Sequence, residues 1–299
     1  MDDASLAGLE TEQTNPETAD IDRWPIETVV RRLVDLQSKA CHEAVSNAAP
    51  QIAAAASAAS EQLRDPESKL VYSGAGTSGR LAGADAAELP PTYGFPSNRI
   101  VTLRPQNSED ETSLPRQAIS EGDVVIGVAA SGRTPFVVAA LREARDLGAL
   151  TIGISNNPRS ELDSLADYPI TLLTGPEPIA GSTRMSAGLA QKLALATLST
   201  AVMVALGRTA RNQMVFMQPT VGKLSHRAVL ILERLTGLPT SRAEELLTSC
   251  DGRIAVSLLV HKTGCSAAFA SERIDATNQD LCPIFDEIGR PGLPSDFPS

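Results

Sequence analysis

The chain has 299 residues, 42% of them hydrophobic and 21% charged, a composition typical of a folded protein that can bury a sizeable core. Its formal net charge is −10, and only 3% of its residues are aromatic. Nucleic-acid binding relies on clustered cations and on aromatic surfaces that stack with bases, so these values argue against a nucleic-acid partner.

The first 50 residues are predicted to form a polar arm and a helix, Ile26–Val45, in which apolar side chains recur at helical spacing. The arm is acidic and has no basic stretch followed by an apolar run, so we expect no secretory signal. A second helix, rich in alanine, is predicted at Pro50–Arg64. The main domain is expected to span residues 51–222.

From residue 70 onward, short apolar strands alternate with loops and helices. Strands are predicted at Leu70–Ser73, Ile100–Leu103, Val124–Ala129, Leu150–Ser155 and Ile170–Leu173, and helices at Gly79–Glu88 and Phe136–Leu147. This alternation is typical of a parallel sheet covered by helices on both faces. Ligands of such α/β folds bind at the carboxyl ends of the strands.

The segment Ala187–Gly207 is long and apolar enough to suggest a membrane span. It contains Gln191 and Lys192, and the chain has no comparable second segment. A buried core helix is therefore the preferred interpretation, and we expect no association with a membrane.

Helical patterns return towards the C-terminus. Helices are predicted at Lys223–Leu235, Ser241–Cys250, Arg253–His261 and Cys265–Ala276. Ser241 and Glu244 have the spacing of a capping box at the start of the second of these helices. We expect a small all-helical module at residues 223–288, followed by a disordered tail rich in Pro, Gly and Ser at residues 289–299.

The cysteines do not suggest a metal site. They lie at Cys41, Cys250, Cys265 and Cys282. They show no CxxC spacing and do not pair with the three histidines at metal-ligand intervals, so zinc is not expected. Scattered thiols are typical of a reducing cytosol, and we expect a cytoplasmic protein.

A loop rich in glycine, serine and threonine follows the first predicted strand, in the stretch VYSGAGTSGR. Gly76 permits a close backbone approach, and Thr77 and Ser78 add hydroxyl donors where a helix start directs its N–H groups at an anion. The loop is neither GxGxxG nor a Walker loop, because the lysine of GxxxxGK[ST] is missing. A tight turn without a ligand is the alternative interpretation.

A second loop of the same chemistry follows the third predicted strand, in DVVIGVAASGRTP. It supplies hydroxyls, a cation and backbone amides through Ser131, Gly132, Arg133 and Thr134. Arg133 by itself fits a surface arginine equally well. Because two such loops are expected at the same edge of one sheet, we predict a site for a phosphorylated sugar, to which Ser182 in a third polar turn contributes.

Several carboxylates stand near these loops in the sequence. Glu88 lies near the end of an apolar helix, where the helix dipole would tend to raise its pKa and suit it to general acid catalysis. A solvated glutamate at a helix end is the alternative. Glu109, Asp110 and Glu111 form an acidic cluster in a loop, and Glu177 lies between two prolines; such groups are more often simply solvated.

Four blocks of the sequence resemble a known family. They are GAGTSGR with DAAELPPTYG, DVVIGVAASGRTP, TIGISNNP, and GPEPIAGSTRMSAGLAQKL. Together with the opening TEQTNPETADID, which is similar to TExxNPxTxxID, they resemble the N-acetylmuramic acid 6-phosphate etherases of the sugar isomerase (SIS) superfamily. The resemblance implies an α/β sandwich of three layers, flavodoxin-like in type, with a small helical C-terminal module.

The resemblance also implies a lyase that cleaves the ether between the lactyl group and C3 of the sugar phosphate, giving N-acetylglucosamine 6-phosphate and D-lactate in cell-wall sugar recycling. In this chemistry a base removes the C2 proton, an acid protonates the departing ether oxygen and water then adds, without a metal or organic cofactor. By motif, Glu88 is the proton donor, and Ser78, Ser131 and Thr134 contact the phosphate. The family implies a homodimer with sites near the subunit interface.

Three segments depart from the family pattern. The region that should carry a second catalytic glutamate, in an AVEGAED-type segment, is shortened, and only Glu109 with Asp110 can be placed there. Met185–Leu189 replaces MKAGT and Met214–Leu224 replaces MVDVxATNxKL, with loss of polar residues. Two alternatives therefore stay open: a sugar-phosphate-binding regulator without catalysis, and a SIS enzyme acting on another amino-sugar phosphate.

Overall fold

The computed structural model of the protein describes residues 8–217, 222–289 and 291. The tail for which disorder is predicted lies outside the described residues, except at 289 and 291. The chain forms two compact units: one contains the residues up to Ala86 together with Asn98–Ala201, and the other contains Ala87–Ser97 together with the residues from Val202 onward. Each unit has a hydrophobic core of its own.

The first unit is built around a sheet of five parallel strands in the order β2-β1-β3-β4-β5. The strands are β1 (Leu70–Gly74), β2 (Ile100–Leu103), β3 (Val124–Val128), β4 (Leu150–Ser155) and β5 (Tyr168–Thr171). Val71 packs on one face in a cluster with Val137, whereas the Tyr72 hydroxyl on the other face donates to Asp85. Helices therefore cover both faces, and the predicted α/β fold is confirmed.

Among the described residues, five α-helices belong wholly or partly to this unit. They are α1 (Ile26–Gln62), α2 (Gly76–Tyr93), α3 (Pro135–Asp146), α4 (Glu161–Leu165) and α5 (Ser186–Ala205). The prediction of two separate helices, Ile26–Val45 and Pro50–Arg64, is wrong, because α1 runs through Pro50 without a break. Proline removes one backbone hydrogen bond, but the buried alanines on either side, such as Ala48 and Ala55, hold the helix by packing.

Helix α2 is longer than predicted at both ends. It begins at Gly76 and continues past Glu88, through a proline pair, to Tyr93. Leu89 is only 1% exposed, so packing of this last part of the helix offsets the hydrogen bonds that the prolines cannot make. Glu88 is therefore not a helix-end residue, and the argument from the dipole at a helix terminus does not apply to it.

Helix α5 is the segment whose sequence suggests a membrane span. It is long and apolar enough to cross a membrane, but 56% of its most apolar window is buried inside the protein. Ala190, Ala194 and Leu198 on its inner face are almost completely buried. The helix is therefore part of the core, as predicted.

Five further helices lie among the described residues of the second unit. They are α6 (Gly222–Thr236), α7 (Thr240–Ser249), α8 (Ile254–Thr263), α9 (Ala267–Ala276) and α10 (Cys282–Ile288). Leu232, Leu247 and Leu258 are among the residues of their common core, so the predicted helical region is confirmed. The pattern does not predict α10, which has only seven residues. The predicted capping box is wrong, because α7 starts directly after Pro239 and has no side-chain cap.

Candidate active site

The glycine loop connects β1 to α2. The strand ends at Gly74 and the helix begins at Gly76, so the turn is very short. A Cβ atom at Gly79 would lie 2.4 Å from the carbonyl oxygen of Gly74, so only glycine allows this close approach. Ser78 is buried and Thr77 is half-buried. The first N–H groups of α2 lie at the carboxyl edge of the sheet, where they can bind an anion.

The second loop connects β3 to α3. Gly132 has a φ of +65°, and a Cβ atom there would lie 2.3 Å from Cβ of Ser160. The backbone amide of Arg133 donates to Oγ of Ser131 at 3.2 Å. Thr134 is the N-cap residue of α3, but its side chain makes no capping hydrogen bond. The hydroxyl of Thr134 is therefore available to a ligand.

These two loops lie where the strand order reverses. β2 is on one side of β1, and β3, β4 and β5 follow in order on the other side, with Gly74 paired to Val128 across the central pair. The connections after β1 and β3 leave in opposite directions and open a crevice between them, which is the usual ligand site of this topology. The predicted loops thus lie side by side at this crevice.

The third polar turn, Gly181–Arg184, precedes α5. A Cβ atom at Gly188, in the first turn of α5, would lie 3.2 Å from the carbonyl oxygen of Thr183 and 3.7 Å from Cγ2 of Thr77. The third turn is therefore close to the glycine loop. Ser182 is half-buried within it.

Glu177 holds the start of α5. Its side chain is fully buried and accepts hydrogen bonds from the amides of Ser186 (2.8 Å) and Ala187 (2.9 Å). Burial raises the pKa of Glu177, while the hydrogen bonds from the two amides act in the opposite direction. Both carboxylate oxygens are thus engaged with the helix terminus, which explains the residue without a part in the reaction.

Glu109 lies against the glycine loop. A Cβ atom at Gly76 would be 2.6 Å from Oε1 of Glu109. The carbonyl oxygen of Glu109 accepts from the amide of Phe136 in the first turn of α3, at 3.3 Å. The shortened segment between β2 and β3 therefore brings an exposed carboxylate to the crevice.

The neighbouring Glu111 has a different role. It accepts from the amides of Gln106 (2.9 Å) and Asn107 (3.4 Å) and from the hydroxyl of Ser113 (3.0 Å). The hydrogen bond from Gln106 is the main cause that lowers the pKa of Glu111. Glu111 thus folds the acidic loop, whereas the side chain of Glu109 makes no hydrogen bond with any described residue. The sequence alone does not separate these two glutamates.

Glu88 is exposed on α2, twelve residues after Gly76 in the same helix. One turn before Glu88, the buried Asp85 accepts from the Tyr72 hydroxyl at 3.0 Å and lies 3.8 Å from Nζ of Lys192. Burial, followed by the charge of Asp85, raises the pKa of Tyr72. These contacts fix the orientation of α2 about its own axis. The sequence analysis misses Asp85, although its spacing of three residues from Glu88 places both on one side of the helix.

Arginines add positive charge at this edge of the sheet. Arg80 donates from Nη2 to Oγ1 of Thr77 at 2.9 Å, Arg133 lies within the second loop, and Arg184 is exposed in the third turn. Arginine side chains bind phosphate and carboxylate groups well, so these three residues can contribute to the binding of an anionic ligand. Among the described residues, no group of three or more His, Cys, Asp or Glu side chains could hold a metal ion.

Comparison with known proteins identifies the family of the chain. Residues 100–201 match the SIS domain family. The chain is 42% identical over 280 residues to an N-acetylmuramic acid 6-phosphate etherase from Deinococcus radiodurans, which covers 89% of this chain and 91% of that protein. It is 39% identical over 289 residues to the etherase of the same name from Rubrobacter xylanophilus, covering 92% of this chain and 95% of that protein.

Among solved structures, the chain is similar to a phosphoheptose isomerase from Francisella tularensis. The TM-score is 0.44 and the identity 17%, over 61% of this chain and 98% of that chain.

Proposed function

The chain belongs to the N-acetylmuramic acid 6-phosphate etherase family and is an enzyme of that class, and on this premise we propose how its residues carry out the reaction. The substrate is N-acetylmuramic acid 6-phosphate, and the products are N-acetylglucosamine 6-phosphate and D-lactate. Phosphorylated amino sugars of this kind arise inside the cell, so the enzyme acts in the cytoplasm, in the recycling of cell-wall sugars.

The observation that carries the proposal is the pairing of two anion-binding loops at the strand-order reversal. The phosphate binds at the first turn of α2 and at the second loop, with Ser78, Ser131 and Thr134 as hydroxyl donors. Backbone amides of Gly76 and Gly132, at the carboxyl ends of β1 and β3, are the further donors to the phosphate in this proposal. Thr77, Arg133 and Ser182 complete the surroundings of the sugar phosphate.

The reaction is an elimination followed by hydration. A base removes the proton from C2, the electron pair of that bond forms a C2–C3 double bond, and the C3–O bond breaks. An acid protonates the departing oxygen, so that D-lactate leaves as an alcohol. Water then adds its hydroxyl at C3 and its proton at C2. Two carboxyl groups suffice for these proton transfers.

Glu109 is the base and Glu88 the acid in this proposal. Glu109 is supported by its place against Gly76, with a carboxylate that no described residue binds. Glu88 is supported by its motif, DAAELPPTYG, and by its exposure on a helix that Asp85 holds in one orientation. Both side chains are open to a substrate.

Helix geometry supports a role for Glu88 in the site of a second copy of the chain. Glu88 follows Gly76 by twelve residues in α2, and at 1.5 Å per residue this is about 18 Å of helix axis. A sugar bound by its phosphate at the start of α2 cannot span that length. We therefore propose a homodimer in which the phosphate loops of one subunit and Glu88 of the other form each site.

An exposed apolar stripe on α1 supports the dimer. Ile26, Val30 and Val34 recur every four residues along the first half of this helix and are 76%, 56% and 58% exposed. Apolar side chains at this spacing form one continuous face, which a second subunit would remove from water.

The test is D-lactate release from N-acetylmuramic acid 6-phosphate by the wild type, Glu88→Ala, Glu109→Ala and, as a control, the exposed helical variant Glu43→Ala. We expect release by the wild type and the control, none from Glu88→Ala and at least tenfold less from Glu109→Ala. If the wild type releases no lactate but a sugar phosphate still raises its melting temperature, the chain is a binding regulator. If the wild type acts only on another amino-sugar phosphate, the proposed identity of the substrate is wrong.

A further inference from the structure

The N-terminal segment, Leu9–Thr18, is fixed to the second loop through Asn157. This buried side chain accepts from the amide of Glu10 at 2.8 Å and donates from Nδ2 to Oγ1 of Thr11 at 3.2 Å. The same Nδ2 donates to the carbonyl oxygen of Ala130 at 2.9 Å, directly before Ser131. One amide group therefore joins the N-terminal segment to the loop that supplies the phosphate contacts.

The same segment is fixed to the loop that leads into the third polar turn. The carbonyl oxygen of Thr11 accepts from the amide of Gly181 at 3.1 Å. Asn15 donates to the carbonyl oxygen of Pro176 at 3.2 Å, and the Thr18 hydroxyl donates to that of Pro178 at 2.7 Å. Although it is far away in sequence, the segment thus lies along the carboxyl edge of the sheet.

Glu12 stands at the place where these contacts meet. A Cβ atom at Gly181 would lie 2.6 Å from Oε2 of Glu12 and 3.7 Å from Oε1, so the carboxylate rests directly on the third polar turn, beside Ser182. The side chain is exposed and makes no hydrogen bond or ion pair with any described residue. A free carboxylate is therefore held at the rim of the crevice.

The bonds of the segment leave Glu12 without a structural role. Within TEQTNPET, the side chains of Thr11, Asn15 and Thr18 are all used to anchor the segment. Glu12 is the remaining polar residue of the pattern TExxNPxT. Its carboxylate forms none of the anchoring bonds and lies against Gly181, at the crevice. Attachment of the N-terminal segment explains Thr11, Asn15 and Thr18, but it does not explain Glu12.

We propose that Glu12 is a substrate-binding residue whose carboxylate accepts hydrogen bonds from hydroxyl groups of the phosphorylated sugar, a role that rests on the proposed function of this site. An ionised carboxylate is an acceptor only, so its partners must be O–H or N–H donors, and a sugar offers several hydroxyls. The phosphate and the lactyl carboxylate are repelled by the same charge. Glu12 thus orients the substrate with its hydroxyl groups towards the N-terminal segment and its anionic groups away from it.

The change Glu12→Gln keeps the size of the side chain and removes its charge. A charged acceptor forms stronger hydrogen bonds than a neutral amide, so the Kd for N-acetylglucosamine 6-phosphate should rise about tenfold or more. The Kd for inorganic phosphate, which has no sugar hydroxyl, should be unchanged or slightly lower. In turnover, KM should rise while kcat stays close to that of the wild type.

The experiment measures both dissociation constants by calorimetry for wild type, Glu12→Gln, Asn157→Ala, Ser131→Asp and the control Asp20→Asn. Asp20 is exposed and lies just outside the segment, so its variant should match the wild type. Asn157→Ala releases the segment and should lower the melting temperature and weaken both ligands. Glu12→Gln should weaken the sugar phosphate alone, at an unchanged melting temperature.

The outcomes separate this inference from the proposed function. If the wild type binds both ligands, Ser131→Asp binds neither and Glu12→Gln equals the wild type, the phosphate site stands and the role of Glu12 is wrong. If Glu12→Gln weakens both ligands equally, Glu12 is a structural residue and the inference also fails. If the wild type binds neither ligand, the proposed phosphate site itself is wrong, and the inference falls with it.

Discussion

The loops after β1 and β3 are held very differently from the segment between β2 and β3. In the two loops, Gly79 and Gly132 approach other parts of the chain so closely that no Cβ atom fits. The segment that carries Glu109 contains no helix or strand between Leu103 and Val124, and it is folded mainly by Glu111 and its own amides. In the proposed site, backbone packing thus builds the phosphate side, and exposed side chains build the catalytic side.

This difference implies that binding and catalysis can be lost separately. A phosphate cradle of backbone amides persists as long as the loops pack, because amides are present whatever the side chains. In the proposed mechanism, proton transfer depends on two carboxylates, one held by a loop and the other supplied by a second subunit. One departure from the family pattern falls in the segment of Glu109, while the motifs of the two loops are retained.

The largest effect, a loss of turnover, is expected for Glu88→Gln. Loss of a general acid lowers the rate by 10²–10⁴-fold, and we expect about 10³-fold or more in kcat, with the Kd for N-acetylglucosamine 6-phosphate unchanged. Steady-state D-lactate release and calorimetry measure the two quantities, with Glu43→Gln as the control. A variant that loses binding and turnover together would break the separation of the two sides.

A smaller loss of turnover is expected for Glu109→Gln. The carboxylate of Glu109 makes no hydrogen bond with any described residue, so its alignment depends on the bound substrate, and we expect about 10²-fold lower kcat with binding retained. Asp110→Asn is the matched control, because it changes the adjacent exposed acid. Equal activities of Glu109→Gln and Asp110→Asn would remove Glu109 from the reaction.

On the phosphate side, Gly132→Ala should destabilise the fold and abolish phosphate binding. The new Cβ would lie 2.3 Å from Cβ of Ser160 at a φ of +65°, and we expect about 2–3 kcal/mol less free energy of unfolding. Gly175→Ala is the matched control, since its φ is +67° but no atom lies within 4 Å of its Cβ position. Denaturant unfolding should show a loss of about 1 kcal/mol for the control, and similar losses in both would contradict the packing argument.

The smallest effect is expected for Glu177→Gln. It is a loss of folding stability whose size should depend on pH. The raised pKa of Glu177 means that the folded chain binds this proton more tightly than the unfolded chain. The group therefore favours folding most below its ordinary pKa of 4.5, and this contribution is lost as the pH rises through the raised value. At pH 7 we expect a destabilisation of about 1 kcal/mol, because one amide of α5 loses its acceptor.

Melting curves of Glu177→Gln between pH 4 and pH 7, with exposed Glu121→Gln as the control, check this sign. The difference in melting temperature from the wild type should shrink as the pH rises. A difference that grows with pH would mean that the two amide hydrogen bonds outweigh burial.

The strands and both loops are predictable because their signals are local. An apolar run followed by glycine and hydroxyl residues specifies a buried strand and a turn within about ten residues, as at β1 and Gly76. The helix through Pro50 is not predictable in the same way, since the packing that compensates for the proline comes from residues distant in sequence.

Contacts between residues that are distant in the sequence also cannot be predicted from it. Asn157 bonds to Thr11 across 146 positions, and nothing in the pattern around either residue indicates the other. Glu109 and Glu111 look alike in an acidic run, and only the folded loop shows that one is engaged and the other free. Asp85 is an intermediate case. Its spacing from Glu88 can be read from the sequence, whereas its hydrogen bond with Tyr72 cannot.

In the proposed etherase, each site is made from the phosphate loops of one subunit and Glu88 of another. The most direct test is co-expression of Glu88→Gln and Ser131→Asp chains, each inactive alone, followed by measurement of D-lactate release from the mixed dimers. If half of the dimers are mixed and each has one intact site, release should reach about a quarter of the wild-type rate. Release no higher than that of the two separate variants would show that Glu88 does not act across the interface.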